Sequence, residues 1–127
     1  SSEELLHAAI RKARFTAASE RAISTLRFDK QSGSLQISVN RSAHESLPLD
    51  ASFGPEGRAE IRFYLIAPAT GLAPAPDGRR SRLETQAIQF AADRSSNPFA
   101  VEIDLGSGNP QRLVFDPFSS LRLSSAQ

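Results

Sequence analysis

The residues that could do chemistry are few and scattered. His7 and His44 are the only imidazoles. His7 falls in a helical pattern and His44 in an irregular stretch, with no His-x-x-x-His pair and no carboxylate–histidine cluster. Nothing therefore gathers ligands around a metal, and both read as surface histidines. The chain has no Cys, which excludes thiolate catalysis, disulfides and Cys-ligated zinc. Serine is abundant, yet no nucleophile-elbow motif offers one to a His–Asp pair. Asp93, Asp104 and Asp116 fall at predicted strand ends, and no loop carries the carboxylate density that calcium needs. Glu102 and Asp104 are two residues apart on a strand, so they share a face, and that face reads as solvated. Asn40-Arg41-Ser42 has the form of a glycosylation sequon. These residues supply no catalytic set, no metal site and no cofactor site.

One charge cluster stands out: Arg79-Arg80-Arg82. Its functional reading is phosphate contact with DNA or contact with a partner. No aromatic residue interleaves with these arginines for base stacking, and Glu84 follows closely, so a solvated loop is the stronger reading. Phe63 and Tyr64 could line a groove for a small ligand or a carbohydrate. With no Trp and one Tyr, the stock for stacking on sugars is poor.

The elements that must position these residues follow from periodicity. Residues 3–25 have no Gly or Pro and are dominated by Ala, Leu, Glu and Arg, which predicts a helix. Leu5, Leu6, Ala9, Ile10, Ala13, Ala17 and Ile23 form one apolar stripe at 100° per residue. Arg11, Arg14 and Arg21 are expected off it, and Phe15, Ala18 and Ala22 form a weaker patch elsewhere. Ser1 and Glu4 fit a capping box. The helical pattern does not weaken toward residue 3, and the chain lacks Met, so the helix is expected to continue upstream in the native protein.

After residue 25 the period becomes two. Leu26 and Phe28, then Leu35, Ile37 and Val39, flank the turn Lys30-Gln31-Ser32-Gly33 as a hairpin. Residues 41–57 read as irregular. Residues 58–66 form a strand, and 67–82 a 16-residue loop rich in Pro and Gly, expected to be mobile. Strands follow at 86–91, 99–105 (Phe99, Val101, Ile103 and Leu105 on one face), 111–115 and 120–124. The expectation is one α+β domain over 1–127: a long N-terminal helix packed on antiparallel β-sheet of about six strands. A formal net charge of +1 gives no global field toward nucleic acid or anionic membrane. No run approaches the ~20 apolar residues that span a bilayer. The 13 arginines against 2 lysines read as genome composition.

Three segments resemble a known family. Ala13-Arg14 followed by Ala17-Ala18, Ala22-Ile23 and the strand Leu26-Arg27-Phe28-Asp29 resembles the helix-to-strand passage of H-type minor pseudopilins and their type IV pilin relatives. Ile88-Gln89-Phe90-Ala91-Ala92-Asp93-Arg94-Ser95-Ser96 resembles their strand–turn signature. Leu113-Val114-Phe115-Asp116-Pro117-Phe118-Ser119-Ser120-Leu121-Arg122 resembles their closing hairpin. Ala92 stands where the family has Pro, and Arg94 and Ser120 where it has Gly, so these turns must close with another geometry or carry strain.

The resemblance implies a pilin-like fold. Residues 1–25 would be the C-terminal half of an anchor helix, and 26–124 a β domain in the periplasm. An apolar upstream segment would hold the protein in the bacterial inner membrane and carry a methylated N-terminus. The implied role is a minor subunit near the tip of a type II secretion pseudopilus, with other major and minor pseudopilins as partners and secreted proteins as cargo. The helix stripe would then serve the core and assembly. A minor pilin of a type IV pilus, with DNA at Arg79, Arg80 and Arg82, is the alternative. A secreted ligand-binding β domain is the lesser one. None of these is an enzyme.

Overall fold

The computed structural model describes residues 1–66, 82–118 and 122–126. Helix α1 spans Ser2–Glu20, with Ser1 as its N-cap: the Ser1 hydroxyl accepts the Glu4 N–H at 3.3 Å and also reaches the Glu4 carboxylate. The helix stops five residues earlier than its composition predicts. Arg21 turns left-handed (φ 53°) and its N–H closes back on Ala17 and Ala18. A left-handed residue at this point ends a helix by satisfying its last carbonyls. Residues 22–23 form the connection, and β1 already begins at Ser24.

Nine strands, not about six, are present among the described residues. They are β1 (Ser24–Asp29), β2 (Ser34–Val39), β3 (Ser42–Pro48), β4 (Glu60–Ile66), β5 (Arg82–Thr85), β6 (Ala87–Phe90), β7 (Phe99–Asp104), β8 (Gln111–Phe115) and β9 (Arg122–Ala126). They form two antiparallel sheets, one ordered β3-β2-β1-β6 and the other β5-β4-β7-β8-β9.

The stretch read as irregular contains β3, whose side chains are mostly exposed except Leu47. A strand buried at one residue leaves little apolar alternation to detect. Arg82, assigned above to a loop, opens β5. The chain then changes sheets at Gln86: Thr85 pairs with Phe63 in one sheet, while Ala87 pairs with Arg27 in the other. The Thr85 hydroxyl donates to the Ala87 carbonyl at 3.2 Å across this step.

Alternation places the inward residues. Leu26, Leu35 and Ile37 in the first sheet, and Ile61, Phe63, Phe99, Val101, Ile103, Leu113 and Phe115 in the second, are buried together with Ile88 and Phe90. Leu105, expected to extend the β7 face, lies past the strand end and is exposed. Helix α1 lays Leu6, Ala9, Ile10, Ala13 and Ala17 onto this core, each fully buried. The short 3₁₀ turn Ala51–Phe53 inserts Phe53 into the same core, and Phe28 meets it edge-on at 6.2 Å. The ammonium of Lys30 ties the following loop down through the carbonyls of Gly57 and Ala59 at 2.9 and 2.7 Å. No helix among the described residues is long and apolar enough to cross a membrane.

Candidate functional site

The most deeply buried charged side chain among the described residues is Arg14. The sequence reading sets it off the apolar stripe because it is charged. Its position, four residues after Ile10 and three before Ala17, turns it toward the core instead. It is 4% exposed. A buried cation is tolerated only where its donors are satisfied, and carbonyls surround this one. Nη1 donates to Arg94 O at 2.6 Å and Pro117 O at 2.8 Å, and Nη2 to Asp116 O at 3.0 Å. The guanidinium also covers the Phe90 ring, 4.9 Å from its centroid. Burial holds the Arg14 pKa below its ordinary value, and the nearby Asp116 charge opposes that shift.

The two turns that Arg14 holds are built by local chemistry. In the first, the Asp93 carboxylate accepts the Ser95 N–H and hydroxyl at 2.9 and 2.6 Å. These bonds lower the Asp93 pKa. Ala91 and Arg94 close the turn, and Arg94 adopts φ 74°. The left-handed geometry expected of Gly is thus kept by an arginine, at a cost of about 1–2 kcal/mol. In the second, the Asp116 carboxylate accepts the Phe118 N–H at 2.9 Å. The turns are joined directly, with Ser96 N–H donating to Pro117 O at 2.7 Å. Ser120, the other expected departure from Gly, lies outside the described residues.

From this clasp an aromatic series runs through the core. Phe90 meets Phe99 edge-on at 5.9 Å, Phe99 stacks on Phe115 at 5.0 Å, and Phe115 meets His7 at 5.5 Å. His7 is therefore not a plain surface histidine: its ring is largely covered and lies 3.6 Å from the Glu3 carboxylate. His44 is exposed on β3.

The outward face of the second sheet carries a charge network. Arg62 pairs with Glu60, with Glu102 at 3.3 Å and with Asp104 at 3.1 Å, and Arg112 approaches Glu102 at 3.7 Å. The Tyr64 hydroxyl donates to Glu102 at 3.0 Å, and Arg112 lies over the Tyr64 ring. Glu102 and Asp104 do share a face, but they are partly covered and ion-paired rather than simply solvated. Burial, then the bond to Glu102, raises the Tyr64 pKa. Burial alone would lower the Arg62 pKa; bonds to Asp104 and Tyr64 outweigh it and raise it. The Gly106 N–H and then Arg62 lower that of Asp104. Phe63 and Tyr64 do not line one groove: Phe63 is buried, and Tyr64 belongs to this network.

Of the stripe residues, Leu5 is half-buried and Ile23 is 53% exposed, outside the helix. The weaker patch makes no second core contact at Phe15, which is 60% exposed. Arg79 and Arg80 lie outside the described residues, as does loop 67–81; the backbone of Arg82 pairs with Ile66. Among the described residues no three His, Asp or Glu side chains group to hold a metal.

No family model matches the chain, and no curated protein matches it. Solved structures do match it, among them two of the minor pseudopilin EpsH from the type II secretion system of Vibrio cholerae. One aligns over 99% of this chain and 93% of its own, with a TM-score of 0.56 at 12% identity. The other aligns over 91% and 87%, with a TM-score of 0.52 at 13% identity. The fold is thus shared with the EpsH structures, the pilin-like fold that the three sequence segments imply.

Proposed function

We propose that the chain is a minor pseudopilin, a non-enzymatic subunit near the tip of a type II secretion pseudopilus. In this reading an apolar segment upstream of Glu3 anchors it in the inner membrane. The β domain faces the periplasm and meets other pseudopilins and exported cargo. The supporting observation is that the three segments resembling the family meet at one place. Arg14 of the first donates to carbonyls of Arg94 in the second and of Asp116 and Pro117 in the third. Short motifs that merely coincided would have no reason to converge on one guanidinium within a fold that aligns end to end with EpsH.

Leu6, Ala9, Ile10, Ala13 and Ala17 are occupied by the chain's own core. Filament contacts would therefore fall to the upstream helix and to the exposed side of α1. Deleting the gene should abolish release of folded exoproteins into the medium, and the full-length gene should restore it. Native protein from the membrane should show a methylated N-terminus leading through an apolar segment into Glu3. Normal export together with loss of pili would move the chain to the type IV pilus machine, which uses the same fold. The DNA reading of Arg79, Arg80 and Arg82 is checked by gel shift. Phosphate-driven binding must weaken steeply as salt rises and disappear when all three become Ala.

A further inference from the structure

Beside the buried clasp, α1 presents a second surface that the core does not use. Arg11, Phe15 and Ser19 follow at four-residue spacing along one side of the helix. They border an open groove of about 350 Å³ whose far wall is His44 and Glu45 of β3. Lys12 crosses to Glu45 at 3.1 Å, so the one carboxylate lining the groove is already neutralised. Phe15 stands 60% exposed, and Arg94 caps its ring from the neighbouring turn, 6.0 Å from the centroid. Among the described residues no carboxylate pairs with Arg11 or with Arg94. The surface is thus an exposed aromatic ring between two arginines that no described carboxylate pairs with.

Its complement is a protein segment with an apolar residue for Phe15 and carboxylates on either side for Arg11 and Arg94. We infer that the Arg11–Phe15–Arg94 surface docks an acidic segment of a different protein. In a second copy of this chain Glu60, Glu102 and Asp104 are engaged by Arg62 and Arg112, while Glu4, Glu20 and Glu56 are exposed, so a second copy is an outcome the test must separate. An extended anionic polymer or a lipid surface has no use for a single apolar ring flanked at two points. The inference stands apart from the secretion reading, because it concerns the chemistry of the partner and not the machine.

The test uses the full-length protein in its own host, with a benzophenone amino acid at Ser19, an exposed groove residue. After irradiation, mass spectrometry identifies the cross-linked peptide. The expected product is a peptide of another protein with two or more carboxylates beside the linked residue. Its yield should fall about tenfold in Arg11→Glu/Arg94→Glu, the scale of one to two kcal/mol of lost complementarity, and persist in Arg11→Lys/Arg94→Lys. If the double reversal impairs folding, Arg11→Glu alone at its exposed helix position carries the comparison. Cross-links to a second copy, to lipid, to nucleic acid or to a neutral or basic peptide would each overturn the inference. So would no cross-link, or a yield indifferent to charge reversal. A normal-export result on gene deletion with the acidic cross-link intact would sink the secretion reading and leave this surface standing.

Discussion

A guanidinium suits the position of Arg14 because it is planar and forked. It can donate in two directions in one plane while its face rests on Phe90. Lysine keeps the charge but concentrates its donors at one point, so it cannot serve the carbonyls of Arg94 and Asp116 together. Arg14→Lys should cost about 1–2 kcal/mol in urea unfolding, and Arg14→Leu about 2–4 kcal/mol, since it removes charge-assisted bonds to the carbonyls of Arg94, Asp116 and Pro117, of which Pro117 keeps the Ser96 N–H. If Arg14→Leu proves as stable as the parent, the clasp contributes nothing to stability. The residue was half legible in the sequence. Helical spacing puts it among Ile10, Ala13 and Ala17, but an amphipathic reading assigns any arginine to solvent. The carbonyls that make its burial tolerable lie 80 and more residues away, where no local pattern records them.

Among the elements, strands with an alternating apolar face were readable, and those without one were not. β3 is held by register with β2 and by the turn at Asn40 and Arg41, both at positive φ (51° and 67°). That geometry is the hairpin turn in which Asn-Gly is preferred. Arg41→Gly should therefore stabilise the hairpin by about 0.5–1 kcal/mol, the relief of left-handed strain less the added freedom of the unfolded chain. Thermal unfolding of the variant checks this, and a lower melting temperature would contradict it.

The loop after β7 gives a pH dependence. Asp104 accepts the Gly106 N–H at 2.8 Å and pairs with Arg62, and its pKa is lowered in the fold. A carboxyl depressed on folding contributes stability that is complete above its unfolded pKa of about 4 and is lost as pH falls through the folded value. Asp104→Asn should therefore flatten the decline in stability below about pH 4 and change the slope little near neutrality. Equilibrium unfolding at a series of acid pH values measures it.

At the scale of the molecule, the two sheets and the helix share one core, and the series Phe90, Phe99, Phe115 crosses it. Phe99 is fully buried and touches both of the other rings. Phe99→Ala should cost about 3–5 kcal/mol, a large part of the roughly 5–15 kcal/mol that holds a domain together. Unfolding followed by far-UV circular dichroism and by the Tyr64 signal should shift to a lower urea midpoint together. Separate midpoints would mean that the sheets unfold independently. The helix-then-sheet order was readable from the change of period near residue 25. The division into two sheets was not, because the crossing at Gln86 is one polar residue inside what looks like a single short strand.

The clasp also sets an order of events in time. The helix leaves a ribosome or a translocation channel long before the residues whose carbonyls take up the Arg14 charge, 94, 116 and 117. Until residue 117 has emerged, the helix can form but cannot seat, because a bare guanidinium would have to enter an apolar core alone. Closure therefore waits on contacts of long sequence separation, the kind that slow folding. The core-facing side of the helix stays open to partners for as long as residues 94–117 are still arriving.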